Sequence, residues 1–124
     1  MANPQVENGV STKTIEAFHA MWDNFPHTVL LLKKSREIVA VNKKAEERGF
    51  LPCAKCFQVS GKEEIHAGCK GNLALEEGTA QRKVTYNKDT GRVSDAYWLP
   101  VPTEKDLFLH FAVYTDLPTE NQGG

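Results

Sequence analysis

Thr28-Val-Leu-Leu-Leu-Lys-Lys-Ser-Arg-Glu-Ile-Val-Ala-Val-Asn42 is the stretch on which the reading of this chain turns. Thr28 to Leu32 is apolar and partly β-branched. Glu37 to Val41 has the same character, and Lys33-Lys-Ser-Arg36 between them is polar. Two strand-like runs joined by so short a polar link predict an antiparallel hairpin. Asn42 then supplies an N-cap for a short helix, Lys43 to Arg48, which Gly49 ends.

Upstream, residues 1–11 are polar and aperiodic and are expected to form a disordered lead-in. Ser11 or Thr12 caps a helix reaching about Asn24. Ile15, Phe18, Trp22 and Phe25 recur at helical spacing and form one apolar stripe, which Met21 widens. Such a stripe suits the chain's own core or a partner's helix. Pro26 stops the helix. Downstream, Cys69 opens a helix that runs through Glu77 to a stop at Gly78. Three strands follow: Gln81 to Tyr86, Arg92 to Val101 and Leu107 to Tyr114. Turns at Asn87–Gly91 and Pro102–Asp106 separate them, and residues 117–124 read as a disordered tail.

The order is helix, two strands, short helices, a helix, three strands. It predicts one α+β domain over residues 12–116, with a flanking helix at 12–25 and a core at 26–116. The sheet is expected to be antiparallel, with five strands and helices on one face. Helices crossing a curved sheet leave room for an enclosed space. Leu30, Leu32, Val39, Val41, Tyr97, Leu99, Phe108 and His110 are the strand residues expected to line that space or fill the core.

A length of 124 residues suits one domain with a core. Hydrophobic content is 40%, charged content 25% and the formal net charge −1. No block of like charge steers the chain to nucleic acid or to an anionic membrane. Met1 to Val10 holds no basic segment followed by an apolar run, and the longest apolar run is Val29 to Leu32. The expected setting is therefore cytoplasmic and reducing, away from the membrane. Three cysteines, an odd number, argue against a disulfide framework.

All three cysteines fall between Pro52 and Cys69. Cys53 and Cys56 form a C-x2-C pair, and His66 and Cys69 an H-x2-C pair after nine intervening residues. Two short-spaced ligand pairs divided by a loop are how a chain builds a tetrahedral metal site. Cys53, Cys56, His66 and Cys69 are thus expected to hold a structural zinc ion, with an iron–sulfur cluster as the alternative. A C-x2-C pair also permits reversible oxidation, so a small thiol-dependent redox protein is a competing reading. No phosphate-binding glycine loop, nucleophile elbow or paired-carboxylate phrase is present, and no enzymatic activity is expected.

With these residues in place, the chain resembles a PAS domain over roughly residues 15–115. Phe25-Pro-His-Thr-Val-Leu-Leu-Leu32 is similar to the family's opening strand. Arg36-Glu-Ile-Val-Ala-Val-Asn42 resembles its second strand, and Ala45 to Gly49 the small helix after it. Leu73-Ala-Leu-Glu-Glu-Gly78 resembles the helix ahead of the three-stranded half. Cys56-Phe57 and Gly61 to Cys69 stand where a bacterial subset carries C-(Y/F) and G-(R/K)-x-E-P-C-x-x-C, with His66 replacing a cysteine and Cys53 added. The resemblance implies a sensory, signal-transducing or protein-interaction domain. Its partners would be a signalling protein or an output domain, with a small-molecule ligand and no nucleic acid. It also implies a homodimer through Ile15, Phe18 and Trp22.

Overall fold

A computed structural model describes residues 6–7, 9–59 and 69–116. Residues 1–5 and 8 of the predicted lead-in, the predicted tail 117–124 and His66 lie outside the described residues. Pairing begins inside the predicted lead-in, where β1 (Val6–Glu7) meets β2 (Val10–Ser11). Gly9 turns the chain at φ 79°, and Val10 is buried against the first helix. The Asn8-Gly9 pair is the sequence signal for such a turn.

α1 (Thr12–Trp22) starts as predicted, with the Lys13 N–H donating to the Ser11 hydroxyl at 3.2 Å. His19 lies exposed and meets Asp23 at 2.9 Å, so the helix keeps a solvated face. Ile15 and Phe18 are buried against Val29, Leu31, Val39, Ala40 and Leu107, while Trp22 and Phe25 pack on Phe111. The apolar stripe therefore seats α1 on the chain's own sheet. Burial of Ile15 and Phe18 contributes about 1.5–3 kcal/mol each. Ile15 and Phe18 are thus taken up by the chain's own sheet, while Trp22 stays partly exposed beside Met21.

β3 (Val29–Lys33) and β4 (Ile38–Val41) form the predicted hairpin, and α2 (Lys43–Glu47) follows its Asn42 cap. α3 (Cys56–Val59) and α4 (Gly71–Glu77) come next, then β5 (Gln81–Asn87), β6 (Arg92–Pro100) and β7 (Leu107–Asp116). The antiparallel sheet has the order β4-β3-β7-β6-β5, so the last strand enters between the two halves of the chain. One face carries Leu30, Leu32, Ile38, Val41, Trp98 and Phe108 against Ala45 of α2 and Ala74 of α4. α1 flanks the opposite face. No helix among the described residues is long and apolar enough to cross a membrane.

α4 ends at Gly78, whose φ of 67° places it in the left-handed region and whose N–H reaches Ala74 O at 2.8 Å. Its first residue, Gly71, is a packing requirement. A Cβ there would come within 2.6 Å of Phe108 Cζ and 2.9 Å of Arg36 Nη2. Gly71→Ala is therefore expected to destabilise the fold by about 1–3 kcal/mol through overpacking, despite alanine's better helix propensity. A urea midpoint equal to that of the wild type would show that Phe108 and Arg36 yield without cost.

Candidate functional site

Two groups of side chains on the α2–α4 face carry chemistry. The first surrounds a cavity of about 300 Å³ beside the central strands. Leu30 of β3 and His110 and Ala112 of β7 form its floor, and Phe50, Phe57 and Tyr114 its walls. Thr28, Arg48 and Cys56 supply the polar lining besides the histidine. The His110 Nδ1–H donates to Tyr97 O at 2.9 Å, and the ring stacks on Trp98 with centroids 4.7 Å apart. That bond fixes the tautomer and the ring plane.

Of the strand residues expected to line such a space, Leu30 and His110 do so. Leu32, Val41 and Phe108 lie on the same face but close the core. Val39, Tyr97 and Leu99 lie on the α1 face. For Val39 the cause is a β-bulge. Leu31 opposes Ala40 and Leu32 opposes Ile38, so Val39 is the extra residue and turns to α1's side with Ala40. For the other two the cause is register. Trp98 sits opposite His110, and Tyr97 and Leu99 opposite Phe111 and Leu109, so the cavity face of β6 takes Ala96 and Trp98.

The second group centres on Arg36, which is only 1% exposed. Its guanidinium donates to Lys34 O, to Asn72 Oδ1 at 3.1 Å and, through Nη2, to Cys69 Sγ at 3.4 Å. It also lies 5.0 Å above the Phe108 ring. No carboxylate pairs with it among the described residues. Cys56 packs into the same core region as Cys69. Burial pushes the Cys56 thiol up, the neighbouring Cys69 raises it further, and the Arg36 charge partly opposes both.

The segment carrying Cys53 and Cys56 runs along the outer edge of β4. Cys53 N–H donates to Ile38 O at 2.8 Å, Ile38 N–H to Ala54 O at 2.8 Å, and Cys56 N–H to Arg36 O at 3.1 Å. It covers a sheet edge that would otherwise be open. Cys53 itself is exposed, at φ 75°. The predicted ligand set is thus brought together only in part: Cys56 and Cys69 share one region, and His66 lies outside the described residues. No group of three or more His, Cys, Asp or Glu side chains is gathered for a metal among the described residues.

The guanidinium is met by the Lys34 carbonyl, Asn72 Oδ1, Cys69 Sγ and the Phe108 ring, so a cation and two of the predicted sulfur ligands share one buried region. Arg36 itself escapes sequence reasoning. It occupies a polar turn, where an arginine ordinarily meets only solvent, and its burial follows from α4 closing over the turn.

No family model matches the sequence, and no curated protein matches it. Solved structures do. A sensory box sensor histidine kinase from Vibrio cholerae superposes with a TM-score of 0.59 at 11% identity, covering 84% of this chain and 91% of that one. A domain of an HTR-like protein from Haloarcula marismortui matches at 0.49 and 23% identity, over 74% of this chain and 98% of that one. The PAS domain of an HTR-like protein from the same organism matches at 0.43 and 14%, over 84% and 99%. The likeness to the Vibrio protein covers most of this chain, and the fold is the PAS-like α+β arrangement that the sequence predicts.

Proposed function

We propose that this chain is a sensory, signal-transducing domain that takes its input in the cavity beside β3 and β7 and passes it through the sheet to α1. One observation carries the reading: consecutive residues of the same strands serve both faces. Leu30 and His110 line the cavity, while Leu31 and Leu109 meet the α1 side. A groove of about 630 Å³ lies between α1 and the Pro100–Thr103 corner, and a shift of the helix would be taken up there. The domain would bind and relay rather than catalyse, and its output would go to a signalling partner or an attached domain. A homodimer through α1 would use its outer side, where Met21 is 73% exposed.

Ala112→Leu tests the relay, since the larger side chain occupies the cavity permanently. Amide exchange in α1 is expected to change by about tenfold while β5 stays as in the wild type. An α1 indifferent to the filled cavity would sink the relay.

The buried Arg36 favours a second element, a zinc ion held by Cys56 and Cys69 with Cys53 and His66. Three thiolates and a neutral histidine leave one net negative charge around Zn2+, the sign that Arg36 balances. The ion would act structurally, joining the loop to the edge of β4. About one zinc per chain is expected from elemental analysis of anaerobically purified protein. Iron with a visible absorbance band would replace zinc by an iron–sulfur cluster. Absence of metal would leave the cysteines as a thiol pair open to oxidation.

A further inference from the structure

The lining of the cavity narrows what it accepts, and the geometry points to a small aromatic carboxylate as its ligand. This rests on the cavity being the input site. A volume of about 300 Å³ is at the lower limit for small-molecule sites, which sets the size to about one ring with a short substituent. Phe50, Phe57 and Tyr114 supply aromatic walls, which favour a flat, polarisable body over a sugar or an extended polar chain.

Two further features favour a negative group on that body. The lining contains Arg48 and no aspartate or glutamate, and Cys56 would oppose an anion there only if a metal held it as a thiolate. Arg82 pairs with Asp95 at 2.7 Å and Arg92 with Asp116 at 3.1 Å, whereas no carboxylate pairs with Arg48 among the described residues. A guanidinium beside an apolar cleft recognises a planar oxyanion by two parallel hydrogen bonds. Thr28 Oγ1 is also buried at this cavity and has no hydrogen-bond partner among the described residues. A buried hydroxyl left in that state asks for an acceptor or donor from outside the chain.

Calorimetric titration with benzoate, benzamide and acetate tests the assignment. Benzoate is expected to bind saturably. Benzamide, which keeps the ring without the charge, and acetate, which keeps the charge without the ring, are each expected to bind about tenfold more weakly. In Arg48→Gln the preference for benzoate over benzamide should fall to about one, because Arg48 is on the surface and its loss leaves the fold intact. In Ala112→Leu benzoate binding should disappear. Benzamide or acetate equalling benzoate, benzoate failing to saturate, or benzoate binding unchanged in Ala112→Leu overturns the proposal. An α1 response to Ala112→Leu without benzoate binding would remove the ligand class and leave the sensory reading standing. Benzoate binding with a silent α1 would do the reverse.

Discussion

Asn42→Ala is expected to cost about 3–5 kcal/mol of unfolding free energy, the largest loss from any single side chain outside the apolar core. Asn42 is fully buried and joins three segments. Its Oδ1 accepts from Val29 N–H and Ala45 N–H, both at 3.0 Å, starting β3 and capping α2 at once. Its Nδ2 donates to Trp22 O at 3.0 Å and His27 O at 2.9 Å, with Phe25 O at 3.4 Å. Those carbonyls hold the end of α1 to the start of the sheet. Alanine leaves buried donors and acceptors unpaired on both sides.

Asn42→Asp separates the two halves of this network. It keeps the acceptors but sets a carboxyl against three carbonyl oxygens in a buried position. Both burial and those oxygens raise the carboxyl pKa in the folded state above its unfolded value. The protonated form can still donate, so stability is retained below the unfolded pKa and lost as pH rises through the folded one. Urea unfolding at about pH 4 and about pH 7 should therefore diverge for Asn42→Asp while the wild type shows no such trend at this position. A loss below about 1 kcal/mol in Asn42→Ala would mean that the α1–β3 connection is held elsewhere.

Arg36→Met is the second large effect, expected at about 3 kcal/mol of destabilisation. Methionine keeps the Cβ, so the backbone strain of a residue at φ 77° cancels in the comparison. What is lost is the guanidinium, with its bonds to Lys34 O, Asn72 Oδ1 and Cys69 Sγ and its position over Phe108. The sign of the result is informative. Replacing a buried ion pair as a whole is often neutral or stabilising, whereas removing one partner of such a pair is costly. A variant as stable as the wild type or more so argues against an anionic sulfur centre. Destabilisation alone also follows from the lost bonds to Lys34 O and Asn72 Oδ1, so the coupling to Cys69 decides. A double-mutant cycle with Cys69→Ala should give a coupling of about 1.5–3 kcal/mol if the contact is charge-assisted.

The elements themselves were legible because their signals are local. Apolar, partly β-branched runs either side of Lys33–Arg36 specify a hairpin within fourteen residues, Thr28 to Val41. Ser11 and Asn42 cap their helices as their side chains dictate, and Gly78 ends α4 by adopting a conformation that disfavours other residues. From these and their order, the five-stranded α+β class follows. The face on which each strand residue lies is another matter. Period-two counting groups Val39 with Val41 and leaves Tyr97 and Leu99 free to join His110. One bulge reverses the first, and the pairing of Trp98 with His110 reverses the second. Both are set by contacts between distant segments, which a single residue's chemistry does not encode.

The functional groups divide the same way. The cysteines and His66 announce themselves by spacing, since metal-ligand pairs are local patterns. Arg36, Arg48 and Thr28 carry no such pattern. Arg36 becomes a buried cation because α4, more than thirty residues away, places Gly71 and Asn72 over the hairpin turn. Thr28 leaves its hydroxyl without a hydrogen-bond partner among the described residues, at a cavity that Phe50 and Phe57 help to line. The sequence by itself determined α1, the β3–β4 hairpin, α2, α4 and the last three strands, with their order, their caps and the chain positions of the cysteines, because these rest on interactions within a few residues. The β1–β2 pair and α3 escaped it. Tertiary structure alone decided the sheet order, the register, the faces and the charge environment of the site, because each depends on which distant chains exclude water from one another.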